Sequence, residues 1–162
     1  YLYHAKAYSP AIGDVVATSD QEAGTVDIVF IMADGAKPGP EMINGLKGYL
    51  QDKTIRPMTD LVNVSAPEEV PYTIGLTYYI NRSDSAKAVT IQAAVAQAVA
   101  DYQTWQRAIG RDINPSKLVA MVMEAGAKRV TVTAPTYTAV AATKVSALQG
   151  EATVTYGGLE DD

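Results

Sequence analysis

Paired and clustered carboxylates are the residues of this sequence that come closest to a reactive or metal-binding pattern. They occur as Asp20 with Glu22, as Glu68 with Glu69, and as a run from Glu160 to Asp162. Two such groups could act as general acid and base if they converged with separated pKa values. Several at short spacing could bind calcium. Because all three sets fall in predicted turns or the C-terminal tail, without the spacing of a calcium loop, we interpret them as solvated charge and predict no metal site.

The other residue types that commonly carry out catalysis are nearly missing. The chain has no cysteine and a single histidine, His4. Histidine is the commonest general base and cysteine the strongest protein nucleophile. No serine lies in a Gly-x-Ser-x-Gly context, and the stretch 34–39 lacks the ending and the glycine spacing of phosphate-binding loops. We therefore predict that the protein is not an enzyme and holds no cofactor, with a carboxylate-dependent hydrolase as the least favoured hypothesis.

Length and charge narrow the remaining classes of function. The 162 residues suffice for one domain or two small ones. A net charge of −5 argues against a nucleic-acid partner, since no basic stripe is available to neutralise phosphates. No run approaches the roughly 20 apolar residues that cross a bilayer, so we predict no membrane insertion. The chain shows no signal peptide and begins at Tyr1 without a methionine, from which we expect a fragment of a longer protein.

The elements that would position any functional side chain alternate between apolar strands and amphipathic helices. Strands are predicted from period-2 alternation and helices from apolar residues at steps of three and four. Pro40 and Pro115 suit the first helical position, and Asn114 suits an N-cap. The predicted elements are an N-terminal hairpin over 11–32, a helix over 40–53, strands over 61–66 and 70–81, helices over 86–109 and 115–125, and a strand over 128–135.

This order predicts an α+β fold. We expect an antiparallel sheet with helices on one face, a ferredoxin-like split βαβ core with one extra helix. The core domain would span 1–135, and a C-terminal β arm with an acidic tail would span 136–162. The residues expected to anchor the core share an apolar character and a helical or strand-like phase. They are Ile28, Phe30, Leu46, Leu76, Val95, Tyr102, Trp105, Leu118, Val122 and Val130.

Tyrosine dominates the aromatic residues, with ten tyrosines against one phenylalanine and one tryptophan. A tyrosine has a large apolar body and a polar tip, which suits half-buried positions and protein interfaces. Ordinary packing within a sheet is the plain alternative. The candidate interface residues are Tyr72, Tyr79, Tyr137, Tyr156 and Glu160.

Segments spread in order over nearly the whole chain resemble the baseplate J-like proteins, wedge components of contractile phage tails of the Mu type. The matching region is the C-terminal part of such a protein. The segments that carry the resemblance are Tyr3 to Pro10, Asp14-Val15, Gly24 to Gly35, Arg56 to Pro67, Gly110 to Leu118, Ala125 to Val130 with Pro135, and Val154 to Gly158 with the acids that follow.

The resemblance implies a structural role without catalysis or cofactor. Such a protein would be a wedge subunit arranged around the six-fold axis of a tail baseplate. Its partners would be other wedge and tail proteins, and its location the virion tail after synthesis in the host cytoplasm. A small-molecule-binding module on a ferredoxin-like sheet stays open as the alternative, because such sheets host many functions.

Overall fold

The computed structural model describes residues 1–52 and 60–162. Over these ranges the chain forms four α-helices, one 3-10 helix and eight strands. They group into two compact units. Unit 1 comprises residues 1–69, 108–110 and 141–145, and unit 2 comprises residues 70–107, 111–140 and 146–162.

Unit 1 is built on a three-stranded sheet. Its elements are α1 (Leu2–Tyr8), β1 (Ile12–Asp20), β2 (Thr25–Met32), α2 (Pro40–Leu50) and β3 (Leu61–Ser65). The central strand β2 pairs antiparallel with β1 and parallel with β3. Ile28 and Phe30 of this strand are fully buried with Leu46 of α2. Val29 and Ile31, which have the opposite phase and lie on the other face of the strand, are buried as well, because a central strand is covered on both faces.

Unit 2 also contains a three-stranded sheet. Strand β5 (Gly75–Asn81) lies between β6 (Arg129–Ala134), to which it is antiparallel, and β8 (Thr153–Glu160), to which it is parallel. A 3-10 helix (Arg82–Lys87) leads into α3 (Ala88–Gln106), and α4 (Pro115–Glu124) follows. Alternate residues of β5 pack on apolar residues of both helices. The fully buried anchors from these helices are Val95, Tyr102, Leu118 and Val122.

A separate two-stranded sheet pairs β4 (Glu68–Tyr72) with β7 (Lys144–Leu148).

Local sequence signals explain where α4 begins. The side chain of Asn114 accepts a hydrogen bond from the Ser116 amide at 3.0 Å, and Pro115 occupies the first turn. A capping side chain of this kind satisfies one of the amides that a helix leaves without a partner. Gly126 follows the helix at φ +122°, a conformation that favours glycine. The predicted start of this helix is therefore confirmed.

The α+β class is confirmed, but the single antiparallel, ferredoxin-like sheet is not formed. The strands predicted over 61–66 and 70–81 belong to different sheets, and β2 pairs with β3 in parallel. Hydrophobic alternation identifies which face of a strand is buried. It does not identify the hydrogen-bonded neighbour, and the pairing of neighbours decides the topology.

Several element boundaries also differ from the prediction. The strand expected over 70–81 is interrupted at Thr73 and Ile74, between β4 and β5. The helix expected over 86–109 ends at Gln106, where Arg107 leaves helical geometry at φ −77° and ψ 60°. The helix expected over 40–53 ends at Leu50, and its last predicted residue lies outside the described residues, as do 56–59 of the matching segments.

The C-terminal segment contributes strand β8 to the sheet of unit 2. Strand β8 is hydrogen-bonded to β5, and Val154 and Tyr156 of β8 pack against the core of unit 2. Burial of these alternating apolar side chains favours docking of the segment on its own chain. The two compact units change over along the chain near residue 70 and again around residues 108–110 and 141–145.

Two of the expected core anchors are only half-buried. Trp105 of α3 and Val130 of β6 pack against the core of unit 2 while keeping part of their surface exposed. Within the described ranges, no helix is long and apolar enough to span a bilayer.

Candidate interaction surfaces

Tyr137 presents an exposed aromatic ring whose hydroxyl is fixed. The side chain is 63% exposed, yet its hydroxyl donates to Oδ2 of Asp112 at 2.6 Å. The other carboxylate oxygen, Oδ1, accepts the Val140 amide at 2.8 Å. These two hydrogen bonds lower the pKa of Asp112, and the carboxylate raises the pKa of Tyr137. The ring is thus held in one orientation towards solvent.

The backbone beneath Tyr137 is tied to the same segment. Ile113 and Thr138 exchange both of their backbone hydrogen bonds, at 2.8 and 3.1 Å. Ile113 is also buried in the core of unit 2. These hydrogen bonds therefore fix the position of the segment 136–140 relative to residues 111–114.

Gln106, the last residue of α3, organises residues 111–114 from inside the core. Its fully buried side chain accepts the Asn114 amide at 3.1 Å and donates to the carbonyl oxygen of Asp112 at 2.9 Å. The hydroxyl of Tyr102 lies 2.9 Å from its Oε1 atom. A buried amide that is fully hydrogen-bonded fixes the local backbone, because any displacement leaves polar groups without partners.

The ring of Trp105 in the same unit is in contact with two cationic side chains, Arg111 and Lys117. The Cζ atom of Arg111 lies 4.2 Å from the centroid of the Trp105 ring, and Nζ of Lys117 lies 5.3 Å from it. A guanidinium nitrogen of Arg111 also donates to the Trp105 carbonyl oxygen. Both cations lie within the range of a cation–π attraction. The ring of Trp105 thus packs against two cationic side chains and is half-buried. The sequence had predicted a fully buried position for this residue.

A second cluster lies at the C-terminal end of β8. Arg129 contacts both carboxylate oxygens of Glu160, at 2.5 and 3.1 Å, and its Cζ atom lies 4.0 Å from the centroid of the Tyr79 ring. Nζ of Lys128 is 3.8 Å from Glu160. The hydrogen bonds from Arg129 lower the pKa of Glu160. Glu160 was predicted to lie in an acidic tail, but it is the last residue of strand β8.

Gly157 allows this cluster to form. A Cβ atom at this position would come within 2.8 Å of the Cδ1 and Cζ atoms of the Tyr79 ring. The glycine therefore lets the ring of Tyr79 lie close against the β8 backbone. This packing gives a physical reason for the first glycine of the Gly157-Gly158 pair.

The remaining predicted interface tyrosines lie further inside. Tyr72 is 7% exposed and belongs to the core of unit 2, and burial raises its pKa to about 12. This residue is removed from the candidate contact surface. Tyr156 is half-buried, with its ring centroid 5.4 Å from that of Tyr78.

Unit 1 carries an open hollow of about 560 Å³ beside the β1–β2 turn. Two carboxylates line it, and both are hydrogen-bonded within the chain. Asp20 accepts the amides of Glu22 and Ala23 at 3.0 Å, and Asp60 accepts the hydroxyl of Tyr1 at 2.8 Å. Among the described residues, no group of three or more histidine, aspartate or glutamate side chains is placed to hold a metal ion.

Sequence reasoning missed the residues that organise these surfaces. Gln106, Arg111 and Lys117 were not predicted as site residues, although Gln106 directly follows Trp105 and the other two lie within the next 12 residues of the chain. A polar residue following Tyr102 at the i+4 position was the available signal for Gln106, since such pairs meet on a helix face.

Comparison with known proteins places both units in one family. A family model described as the Baseplate J-like central domain matches residues 1–66. A second, described as the Baseplate J-like protein C-terminal domain, matches residues 73–156, more than half of the chain.

Two individual proteins are similar to this chain. Baseplate protein J of Escherichia phage P2 is 27% identical over 135 residues, which cover 83% of this chain and 44% of that protein. A chain in the six-fold symmetrised cryo-EM structure of the anti-feeding prophage baseplate matches with a TM-score of 0.54 and 16% identity. That match covers 90% of this chain and 35% of the other, and it shows a shared fold.

This chain thus spans less than half the length of its phage P2 relative. The two family models match it in consecutive order, in agreement with the resemblance seen in the sequence. The chain belongs to the baseplate J-like family.

Proposed function

We propose that this chain is a structural component of the contractile-tail baseplate of a phage or prophage, a wedge subunit that acts through protein–protein assembly. The observation that carries the proposal is the match of the central-domain and C-terminal-domain family models, one after the other, over residues 1–66 and 73–156. Its partners are other baseplate wedge and tail proteins, and its location is the virion tail.

The use of the carboxylates supports a structural role. Asp20 fixes a turn, Asp112 fixes Tyr137, and Glu160 closes the end of β8. General acid–base catalysis by a carboxylate pair needs two groups that converge on one substrate with separated pKa values. These three carboxylates instead hold separate parts of the backbone in place, and we propose a non-catalytic role for the chain.

The names of the similar proteins support the proposed assembly. The phage P2 relative is called a baseplate protein, and the structural neighbour comes from a baseplate with six-fold symmetry. We infer that this chain takes part in a six-fold assembly of the same kind. Specific interfaces in stable complexes bury on the order of 1,200–2,000 Å² in total, so each such interface would cover about a tenth of this chain's accessible surface of 9003 Å².

Deletion of the coding segment in the phage or prophage that encodes it tests the proposal. We expect loss of infectious contractile tails, with restoration when the intact gene is supplied from a plasmid. Electron microscopy of the products should show tubes without complete baseplates. Normal numbers of infectious tails after deletion would contradict the proposal.

A further inference from the structure

We propose that five residues of unit 2 form a docking surface for an acidic surface of a neighbouring protein in the assembly. We call this surface the aromatic–cation patch, and its residues are Trp105, Arg111, Asp112, Lys117 and Tyr137. The inference rests on the proposed function and names the contact chemistry that the proposed function leaves open.

Pre-organisation is the first argument. The ring of Tyr137 is 63% exposed but oriented by the 2.6 Å hydrogen bond to Asp112. The position of Asp112 is set in turn by its bond to the Val140 amide and by the buried side chain of Gln106. A side chain that is already ordered loses little conformational freedom on binding, so more of its contact energy appears as affinity.

Charge is the second argument. Arg111 and Lys117 both lie over the Trp105 ring, while the carboxylate of Asp112 already accepts two hydrogen bonds. The patch therefore presents two cations and one engaged anion on a chain whose net charge is −5. One guanidinium N–H of Arg111 donates to the Trp105 carbonyl oxygen. The other N–H donors of the planar guanidinium have the geometry to bind a carboxylate.

Composition is the third argument. Tryptophan, tyrosine and arginine are the residue types that carry most of the binding energy at protein interfaces. Here Trp105 contacts Arg111, and Tyr137 donates a hydrogen bond to Asp112, the next residue along the chain. An excess of negative charge on the rest of the chain disfavours a phosphate backbone as the occupant. A nucleic acid would require an extended basic stripe on this chain. An acidic protein surface can bind through a few carboxylates that contact only these two cations.

Photo-crosslinking in assembled tails tests the occupant directly. Tyr137 is replaced by p-benzoylphenylalanine, tails are purified and irradiated, and the cross-linked peptides are identified by mass spectrometry. The matched control places the same group at Val89, which is 81% exposed on α3 of the same unit. We expect position 137 to yield a dominant cross-link to a peptide rich in aspartate or glutamate from a different protein of the assembly. A dominant cross-link to a second copy of this chain would overturn the inference.

Two further results would overturn the inference. One is a cross-link from position 137 only to peptides without acidic residues. The other is no cross-link above that of the unirradiated sample in tails that contain the chain. Tails that never contain the chain would instead contradict the proposed function, so the two failures are distinguishable.

Charge reversal provides an independent measurement. We expect the double variant Arg111→Glu with Lys117→Glu to lower incorporation into tails by at least about tenfold, because two attractive contacts become repulsive. The control Lys87→Glu changes an exposed lysine of the 3-10 helix and should leave incorporation unchanged. Circular dichroism of the purified variants establishes that both are folded. Equal incorporation of a folded double variant and the control would overturn the inference.

Discussion

The hydroxyl of Tyr102 and the side-chain Oε1 atom of Gln106 lie 2.9 Å apart at the end of α3, and both side chains are fully buried. Successive turns of one helix thus supply a polar pair inside an otherwise apolar core. Gln106 extends the pair to the backbone of Asp112 and Asn114. This arrangement couples the core of unit 2 to the segment that carries the aromatic–cation patch.

Gln106→Leu should destabilise unit 2 by about 3 kcal/mol, since the change leaves several buried polar groups without partners, each at a cost of roughly 1–3 kcal/mol. Urea denaturation followed by far-UV circular dichroism measures the change. Gln97→Leu is the matched control, because Gln97 lies on the exposed side of the same helix and bonds only Asp101 at 2.8 Å in the described contacts. The control should change stability by less than about 0.5 kcal/mol. Equal effects of the two variants would contradict the role of Gln106.

Trp105→Ala should cost about 2 kcal/mol, less than the roughly 3–5 kcal/mol typical of a fully buried large aromatic residue. The reason is that Trp105 is half-buried and keeps one part of its ring for Arg111 and Lys117. Circular dichroism is the suitable probe, because the chain has one tryptophan and the variant has none. A loss below about 0.5 kcal/mol, the size typical of surface changes such as Val89→Ala, would show that the ring contributes nothing to the core.

Gly157→Ala should destabilise the protein by about 1–3 kcal/mol, the usual cost of overpacking. The added methyl group would meet the ring of Tyr79, so the ring must shift, and the shift would disturb its contact with Arg129. Gly48→Ala is the control, since a Cβ atom there meets nothing within 4 Å. Alanine in that helix should stabilise by about 1 kcal/mol. Thermal unfolding of both variants checks the prediction, and a neutral Gly157→Ala would contradict the close packing of Tyr79.

Tyr137→Phe should raise the pKa of Asp112 towards its ordinary value of 3.8, because the hydroxyl hydrogen bond is the largest cause that lowers it. The Val140 amide bond remains in the variant, so the pKa should stay below that value. The lowered pKa means that Asp112 stabilises the fold above pH 3.8 and that this contribution is lost as the pH falls through the folded-state pKa.

NMR titration of the Asp112 carboxyl carbon measures this shift. Tyr3→Phe is the control, since Tyr3 is 79% exposed in α1. The control should leave the titration of Asp112 unchanged. An identical Asp112 curve in wild type and Tyr137→Phe would contradict the hydrogen bond between the two side chains.

Local elements of the fold could be predicted from the sequence because their signals are local. The hairpin of β1 and β2 follows from two apolar runs around Gly24, and the start of α4 follows from Asn114 and Pro115. The pairing of β5 with β8 in parallel joins residues about 78 positions apart along the chain, such as Gly75 and Thr153. No short-range pattern encodes such a choice, because it depends on how all the buried faces fit together.

The same distinction holds for the candidate surfaces. Tyr72 shares the phase of Leu76 and Ile80, so strand periodicity could have assigned it to the core, whereas Tyr79 has the opposite phase. The contact of Tyr137 with Asp112 spans 25 residues. Its chemistry could be recognised only once the backbone bridge between Ile113 and Thr138 had brought the two side chains together.

Cryo-electron microscopy of purified contractile tails from the phage or prophage that encodes this chain tests the central claim most directly. We expect density for units 1 and 2 in the baseplate, with each copy in contact with neighbouring proteins. Complete, infectious tails whose baseplate contains no density for this chain would contradict it.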